Sequence, residues 1–280
     1  MTRLGYQIPN FTYPGVAPDQ LFGTVVAQAV DAENSGFDTV LVMDHFYQLP
    51  GIGAPEEPMF ECYSVLSALA QHTEKVGLGA LVTGNTYRHP TLLAKAVTAL
   101  DHVSSGRATL GIGAGWFQLE HDSLGYEFGT FTDRFEKLEE ALKIVIPMLR
   151  GETVSFGEKS VDKNAATIGI LPVQKPHPKI WIAANSEAMV RRIASRGEVW
   201  YMNPHAPFST IKSQFELYKS ELATHGYSLP EDVPVAREVF VASSKLEANA
   251  IARPFLEAKY KTYSLWGQDK TISSKESFST

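Results

Sequence analysis

The sequence predicts an α/β protein of the TIM (β/α)8 type, with parallel strands inside and helices outside. Three observations carry that expectation. Short apolar runs alternate with amphipathic helical periods along nearly the whole chain, glycines recur where the helices end, and no linker separates two halves. At 280 residues the chain is long enough for one well-filled core. A single barrel domain over 1–280 is therefore expected.

The elements follow in order. "LGYQIPNF" reads as a strand, and "PDQLFGTVVAQAVDAENSGF" as a helix with Leu21, Val25, Ala29 and Ala32 on one face, closed by Gly36. "TVLVMD" then precedes a helix around "CYSVLSALAQHT". "VGLGALVTG" precedes "HPTLLAKAVTALDHVSSG", and "RATLGIGAG" precedes "TDRFEKLEEALKIVIPMLRG". After this fourth unit the rhythm breaks. Residues 152–178 are too long for an ordinary connection and read as an insertion carrying a small hairpin. Alternation resumes with "KIWIAAN" and "EAMVRRIASRG", with "VWYMNPH" and "STIKSQFELYKSELATHG", and with "PVAREVFVAS" and "KLEANAIARPFLEAKYKTYSLWG". Residues 268–280 read as a polar tail, so the barrel is expected to lack its last βα unit.

Composition narrows the function. Lys and Arg number 25 against 31 Asp and Glu, and no basic run interleaves with aromatics, so no nucleic-acid partner is expected. No apolar run approaches the ~18 residues of a membrane span, and the start does not read as a signal peptide, which places the protein in the cytoplasm. The single cysteine, Cys62, reads as a small apolar residue on a helix.

The candidate residues lie where strands end, because in a barrel those ends share the mouth that carries chemistry. "TVLVMDHF" ends a buried strand in Asp44 and His45. An imidazole there can donate or accept a proton, and a carboxylate beside it can orient the ring. In "GALVTGNTYRHP", Gly79 and Gly84 suit either close approach by a flat ligand or an irregular bend, and Arg88 with His89 suits either an anion or a solvated helix start. In "GIGAGWFQLEHD", the spacing of Gly111, Gly113 and Gly115 is not a nicotinamide fingerprint, but it strips the mouth of Cβ atoms beside Trp116 and Phe117. Glu120, His121 and Asp122 are adjacent, so they point apart on regular structure; a solvated loop is expected there, and no metal site. In "WIAANSEAMVRR", Asn185 and Ser186 offer caps to a helix whose free N–H groups suit a phosphate. Phe11, Tyr13, Phe46, Tyr47 and Trp116 suggest a largely apolar substrate pocket. P-loop and serine-hydrolase motifs are absent.

Together, "GFDTVLVMDHF", "LVTGNTYRHPTLLAKAVTALDHVSSGRATLGIGAGWFQLEHDSLGYEF" and "PHPKIWIAANSEAMVRRIAS" resemble the bacterial luciferase-like family of flavin and deazaflavin oxidoreductases. The resemblance implies a TIM barrel that binds FMN or the deazaflavin coenzyme F-420 at its mouth, usually as a homodimer, and acts on a small organic substrate. It implies that His45, with Asp44, lies near the reactive ring and works as acid or base. Ala80 and Leu81 then fall on a third-strand bulge that often contains a non-proline cis peptide. Asn85 and Thr86 fall on a loop that touches the cofactor, Gly113, Ala114 and Gly115 on the turn beside it, and Ala184, Asn185 and Ser186 on the turn that holds its phosphate. Trp116 stands where some deazaflavin sugar-phosphate dehydrogenases of the family carry a Glu. The alternative is a non-catalytic or truncated cofactor-binding subunit of a luciferase-like heterodimer.

Overall fold

In a computed structural model of the protein, residues 2–155, 166–202 and 204–265 are described. The chain divides into two compact units, one of Met1–Tyr47 and Glu57–Ile180, the other of Gln48–Glu56 and Trp181–Thr280.

The first unit is built on parallel strands in the order β1 (Gly5–Ile8), β2 (Thr39–Val42), β3 (Gly77–Ala80) and β5 (Ala108–Gly113), with the short β4 (Thr83–Gly84) also on β5. Gly5 faces Thr39 and Thr39 faces Gly77. On one face of the strands Val40, Val42, Leu78, Leu110 and Ile112 are all buried, and on the other Leu41 is buried beside the small Gly79, Thr109 and Gly111, as a parallel sheet covered on both faces requires. Between the pairs Gly79–Thr109 and Thr83–Ile112, the β3–β4 path contains one residue more than β5. That surplus is a β-bulge over Ala80–Val82, with a cis peptide joining Leu81 to Val82. The bulge expected at Ala80 and Leu81 is present.

Each strand leads into helix. α1 (Leu21–Asn34) buries Val25, Ala29 and Ala32 on one face and stops before Gly36, which has φ +85°. α2 (Cys62–Leu69) starts on a Glu61 side chain that accepts the Ser64 N–H, and burial pushes the Cys62 thiol well up, as suits an inert packing residue. α3 (Pro90–Val103) has Pro90 in its first turn, where no N–H is needed. A short α4 (Gln118–Leu124) ends at Gly125 (φ +77°), and α5 (Phe131–Arg150) opens with a reciprocal Thr130–Asp133 capping box. At the N-terminal end of β5, Arg107 donates to the carbonyls of Ala70, Thr73, Val76 and Ser104, tying the ends of α2 and α3 to the sheet.

In the second unit, which takes up β6 (Lys179–Ala184) from Trp181 onward, β6 and β7 (Val199–Met202) are parallel, with Trp181 facing Val199. Around them lie α6 (Glu187–Ala194), α7 (Phe208–Thr224) and α8 (Lys245–Leu265). Buried Trp200 donates to the Ala184 carbonyl at 2.9 Å, and Tyr218 to that of Glu198 at 2.6 Å.

The strand expected in "PVAREVFVAS" does not form. Only Val235 bridges to Met202, and Val239 and Val241 are 82% and 85% exposed. Alternating apolar residues are a condition for a strand, but pairing partners decide it, and this segment has one pairing residue. Within 152–178, the segment expected as an insertion, Val154 and Ala166 form an antiparallel bridge; 156–165, where the small hairpin is expected, and the tail over 268–280 lie outside the described residues. Among the described residues no helix is long and apolar enough to cross a membrane.

Two glycines of the sheet are set by packing. A Cβ on Gly79 would stand 2.5 Å from the Thr109 carbonyl oxygen, and one on Gly111 would collide with the Ala80 carbonyl oxygen. Gly23, exposed within α1, meets nothing within 4 Å. Gly111→Ala should lower unfolding free energy by about 1–3 kcal/mol, whereas Gly23→Ala should raise it by roughly 0.5–1 kcal/mol, both read by denaturant titration.

Candidate functional site

The first unit gathers its reactive side chains just beyond the C-terminal ends of β2, β4 and β5. Asp44, two residues past β2, is buried. Its Oδ2 accepts the Gly84 N–H at 2.9 Å and Arg88 Nη1 at 2.6 Å, while Oδ1 accepts Arg88 Nη2 at 2.9 Å. The same guanidinium donates to Glu61 and lies 5.0 Å from the centre of the Tyr63 ring, whose hydroxyl shares a 2.8 Å bond with Thr83. Burial opposes the Arg88 charge, but the bonds to Asp44 and Glu61 outweigh it and raise its pKa. Arg88 is thus consumed by two carboxylates, and the anion-binding role weighed for it from sequence is replaced by an internal clamp.

His45 points elsewhere. Its Nδ1 lies 2.9 Å from Glu120 Oε2, and the ring meets Trp116 and Phe117 edge-on, with centroids 5.8 Å away in both cases. The His45 side chain is 13% exposed and Glu120 not at all. Glu120 also accepts the N–H groups of Phe46 and Tyr47, the latter at 3.0 Å, and the Tyr87 hydroxyl. Burial alone would push this carboxyl up. The bonds and charge of His45, the Tyr87 hydroxyl and the Tyr47 N–H prevail and hold it below the ordinary range. Burial and the adjacent Glu120 push the Tyr87 hydroxyl up, so it remains a donor. The carboxylate on the imidazole is therefore that of Glu120, not the sequence neighbour Asp44.

Glu120 and His121 lie in α4, not in the solvated loop expected for 120–122, and both are fully buried. The sequence argument that they point apart does hold. His121 Nδ1 donates to the Phe117 carbonyl at 2.8 Å, and Nε2 meets the Thr86 hydroxyl at 2.7 Å. Asn85 and Thr86 sit in a 3-10 turn over Asn85–Tyr87, with Asn85 buried. Gly113 closes β5; Ala114 and Gly115 follow half-buried, and Gly115 has φ +84° with Thr86 Oγ1 2.7 Å from where its Cβ would be. Gly84 is likewise filled by the Tyr87 ring, which with Gly79 and Gly111 favours internal packing over a flat ligand as the reason for these glycines.

Of the aromatic residues, Phe46 stacks on Tyr126 at 5.8 Å, and Trp116 is half-buried beside His45. Phe11 is 1% exposed and packs edge-on against Phe60 at 5.0 Å, so it belongs to the core and not to a pocket wall. In the second unit Ser186 caps α6, its hydroxyl accepting the Met189 N–H at 3.4 Å; the Asn185 carbonyl accepts Gln214 Nε2 at 3.0 Å, and Ala184 is buried.

Comparison with known proteins places these residues in a context. Residues 2–275 match the model of the family described as luciferase-like monooxygenase. An FMNH(2)-dependent dimethylsulfone monooxygenase of Pseudomonas putida is 28% identical over 221 residues, 79% of this chain and 58% of that protein. An F420-dependent glucose-6-phosphate dehydrogenase of Microbacterium testaceum is 34% identical over 194 residues, 68% of this chain and 53% of that protein. The chain spans between about half and two thirds of the length of the curated relatives it matches. Among solved structures, monooxygenase RslO1 from Streptomyces bottropensis superposes with a TM-score of 0.76 at 20% identity, over 96% of this chain and 82% of that one, which shows a shared fold.

Two outcomes follow from the buried charges. Arg88→Ala leaves the Asp44 carboxylate buried without its partner and should cost about 3–5 kcal/mol in a denaturant titration. Glu120 has a lowered folded-state pKa, so its contribution to stability is present above its unfolded pKa and is lost as pH falls through the folded value. Unfolding free energy measured from neutral to acid pH should therefore fall less steeply in Glu120→Gln than in the unsubstituted protein.

Proposed function

The chain belongs to the luciferase-like monooxygenase family, and from that premise we propose that it is an oxidoreductase using a reduced flavin (FMN) or a deazaflavin cofactor on a small organic substrate, with His45 as its proton-handling residue. The observation that carries the reading is the imidazole itself. It stands just past a strand end, with Nδ1 committed to a buried carboxylate and aromatic rings on its flanks. The relatives bearing both FMNH(2)-dependent and F420-dependent names support the cofactor class and leave both cofactors in the proposal.

The residues present suit such a ring. A half-buried Trp116 offers an aromatic rim, and the turn at Gly113, Ala114 and Gly115 offers backbone with little side chain in the way. Asn85 and Thr86 complete the ring side of the assignment. In the second unit, taken by itself, the turn over Ala184, Asn185 and Ser186 suits a phosphate, because Ser186 opens a helix whose first N–H groups lack helical partners. When bound, a reduced flavin would supply a hydride or reduce dioxygen, and a reduced deazaflavin would supply a hydride. His45 accepts or donates the accompanying proton at Nε2, the ring nitrogen left over when Nδ1 donates to Glu120. Phe46, Tyr47 and Trp116 bring apolar surface that favours a largely apolar substrate and limits water near the imidazole.

The wider architecture is read in the same way. Parallel strands followed by helices, with the side chains described above beyond strand C-terminal ends, support a TIM-type barrel architecture.

Titrating the protein with FMN and with F420, and following the fluorescence of each ring, should show micromolar binding of one of them. His45→Ala should retain that binding and lose turnover by about 10²–10⁴-fold. Absence of binding by both cofactors, or unchanged turnover in His45→Ala, contradicts the reading.

A further inference from the structure

Glu120 is not among the residues to which sequence or resemblance gives a role, yet it receives more donors than any other side chain near His45. Two backbone N–H groups, from Phe46 and Tyr47, converge on Oε1; the Tyr87 hydroxyl and His45 Nδ1 converge on Oε2. A carboxylate with no exposed surface and a lowered pKa is ionised at neutral pH and offers only lone pairs. The nitrogen facing it must carry a hydrogen.

We propose that Glu120 is a positioning residue for His45. It holds the imidazole as the Nδ1–H tautomer and turns Nε2 outward as the proton acceptor. The proposal rests on the reading of His45 as the proton-handling group, but its geometry is independent of any cofactor.

Several features make Glu120 more than a space-filler. Free neutral imidazole prefers the other tautomer, with hydrogen on Nε2, so the Nδ1–H form needs a fixed acceptor. The same carboxylate holds the N–H groups of the two residues after His45, so the backbone that carries the ring and the ring itself are oriented by one group. Tyr87, whose hydroxyl stays protonated, occupies Oε2 with a donor and keeps the carboxylate from rotating away from Nδ1. Trp116 and Phe117, edge-on to the imidazole, restrict rotation about its remaining torsion. Asp44 cannot substitute for Glu120, since both its oxygens are engaged by Arg88 and Gly84.

The test is nitrogen-15 NMR of protein labelled at its eight histidines, with His45 signals assigned by their loss in His45→Gln. In the unsubstituted protein without cofactor, at a pH where the ring is neutral, His45 should show a protonated Nδ1 and an unprotonated Nε2. In Glu120→Gln, whose amide can donate as well as accept, the Nε2–H form should appear, and kcat should fall by about 10²-fold with KM within threefold. A protonated Nε2 in the unsubstituted protein overturns the proposal without recourse to any variant, and so does an unchanged tautomer and kcat in Glu120→Gln. The tautomer reports on Glu120 even if His45→Ala proves fully active, an outcome that would remove the catalytic reading of His45 and leave the positioning geometry standing.

Discussion

Two carboxylates, Asp44 and Glu120, are buried beyond the C-terminal ends of the first unit's strands, and the local structure is arranged around satisfying them. Taking a carboxylate out of water costs several kcal/mol unless hydrogen bonds or a counter-charge replace the solvent. Each group has its own solution. Asp44 takes a guanidinium in a two-point grip together with one backbone N–H, and Glu120 takes an imidazole, a phenol and two backbone N–H groups. Between them they fix the path of residues 44–47, the 3-10 turn over Asn85–Tyr87 and the placement of α4. The loop after β2 is therefore held by hydrogen bonds to carboxylates, not by hydrophobic contact alone.

That arrangement depends on the bulge between β3 and β4. The extra residue lets Thr83 and Gly84 pair again with β5 after the strand has been displaced. Gly84 can then give its N–H to Asp44 while the Tyr87 ring lies where a Cβ would be, and Arg88 emerges opposite Asp44. The glycines at 79 and 111 admit the close approach of β3 and β5 on which the displacement rests. Sheet geometry and buried charge are thus one problem with a single local solution, and the imidazole of His45 is placed as a result of it.

Much of the scaffold could be read from the sequence, because period and punctuation are local signals. Strands at Thr39–Val42 and Ala108–Gly113, and the helices that follow, announce themselves by apolar runs and by residues such as Pro90, Thr130 and Gly151. His45 stands out in the sequence as a candidate position because a core strand has no packing reason to end in an imidazole. Its partner does not. Asp44 is adjacent in the chain and attracts the inference, but successive residues beyond a strand point apart, and Glu120 arrives from 75 residues away. One local signal for Glu120 was available: "FQLEHDSLG" carries a glycine stop at Gly125, and a seven-residue helix there removes Glu120 and His121 from solvent. The expected strand in "PVAREVFVAS" failed for the complementary reason, since pairing is non-local and no periodicity reveals who the neighbour will be.

The adjacency of Glu120 and His121 shows how two separate hydrogen-bonding duties fit in so short a helix. Neighbouring helical residues diverge by about 100°, so one side chain can serve each purpose. His121 spends both ring nitrogens within the fold, on the Phe117 carbonyl and the Thr86 hydroxyl, and anchors α4 to the 3-10 turn. Glu120, on the other side, reaches the loop after β2. Because α4 is secured by His121, the carboxylate of Glu120 arrives from a fixed base, and the position of Nδ1 follows from it. An imidazole with one nitrogen held in this way has a single nitrogen left for chemistry, which is the property a directional proton acceptor requires.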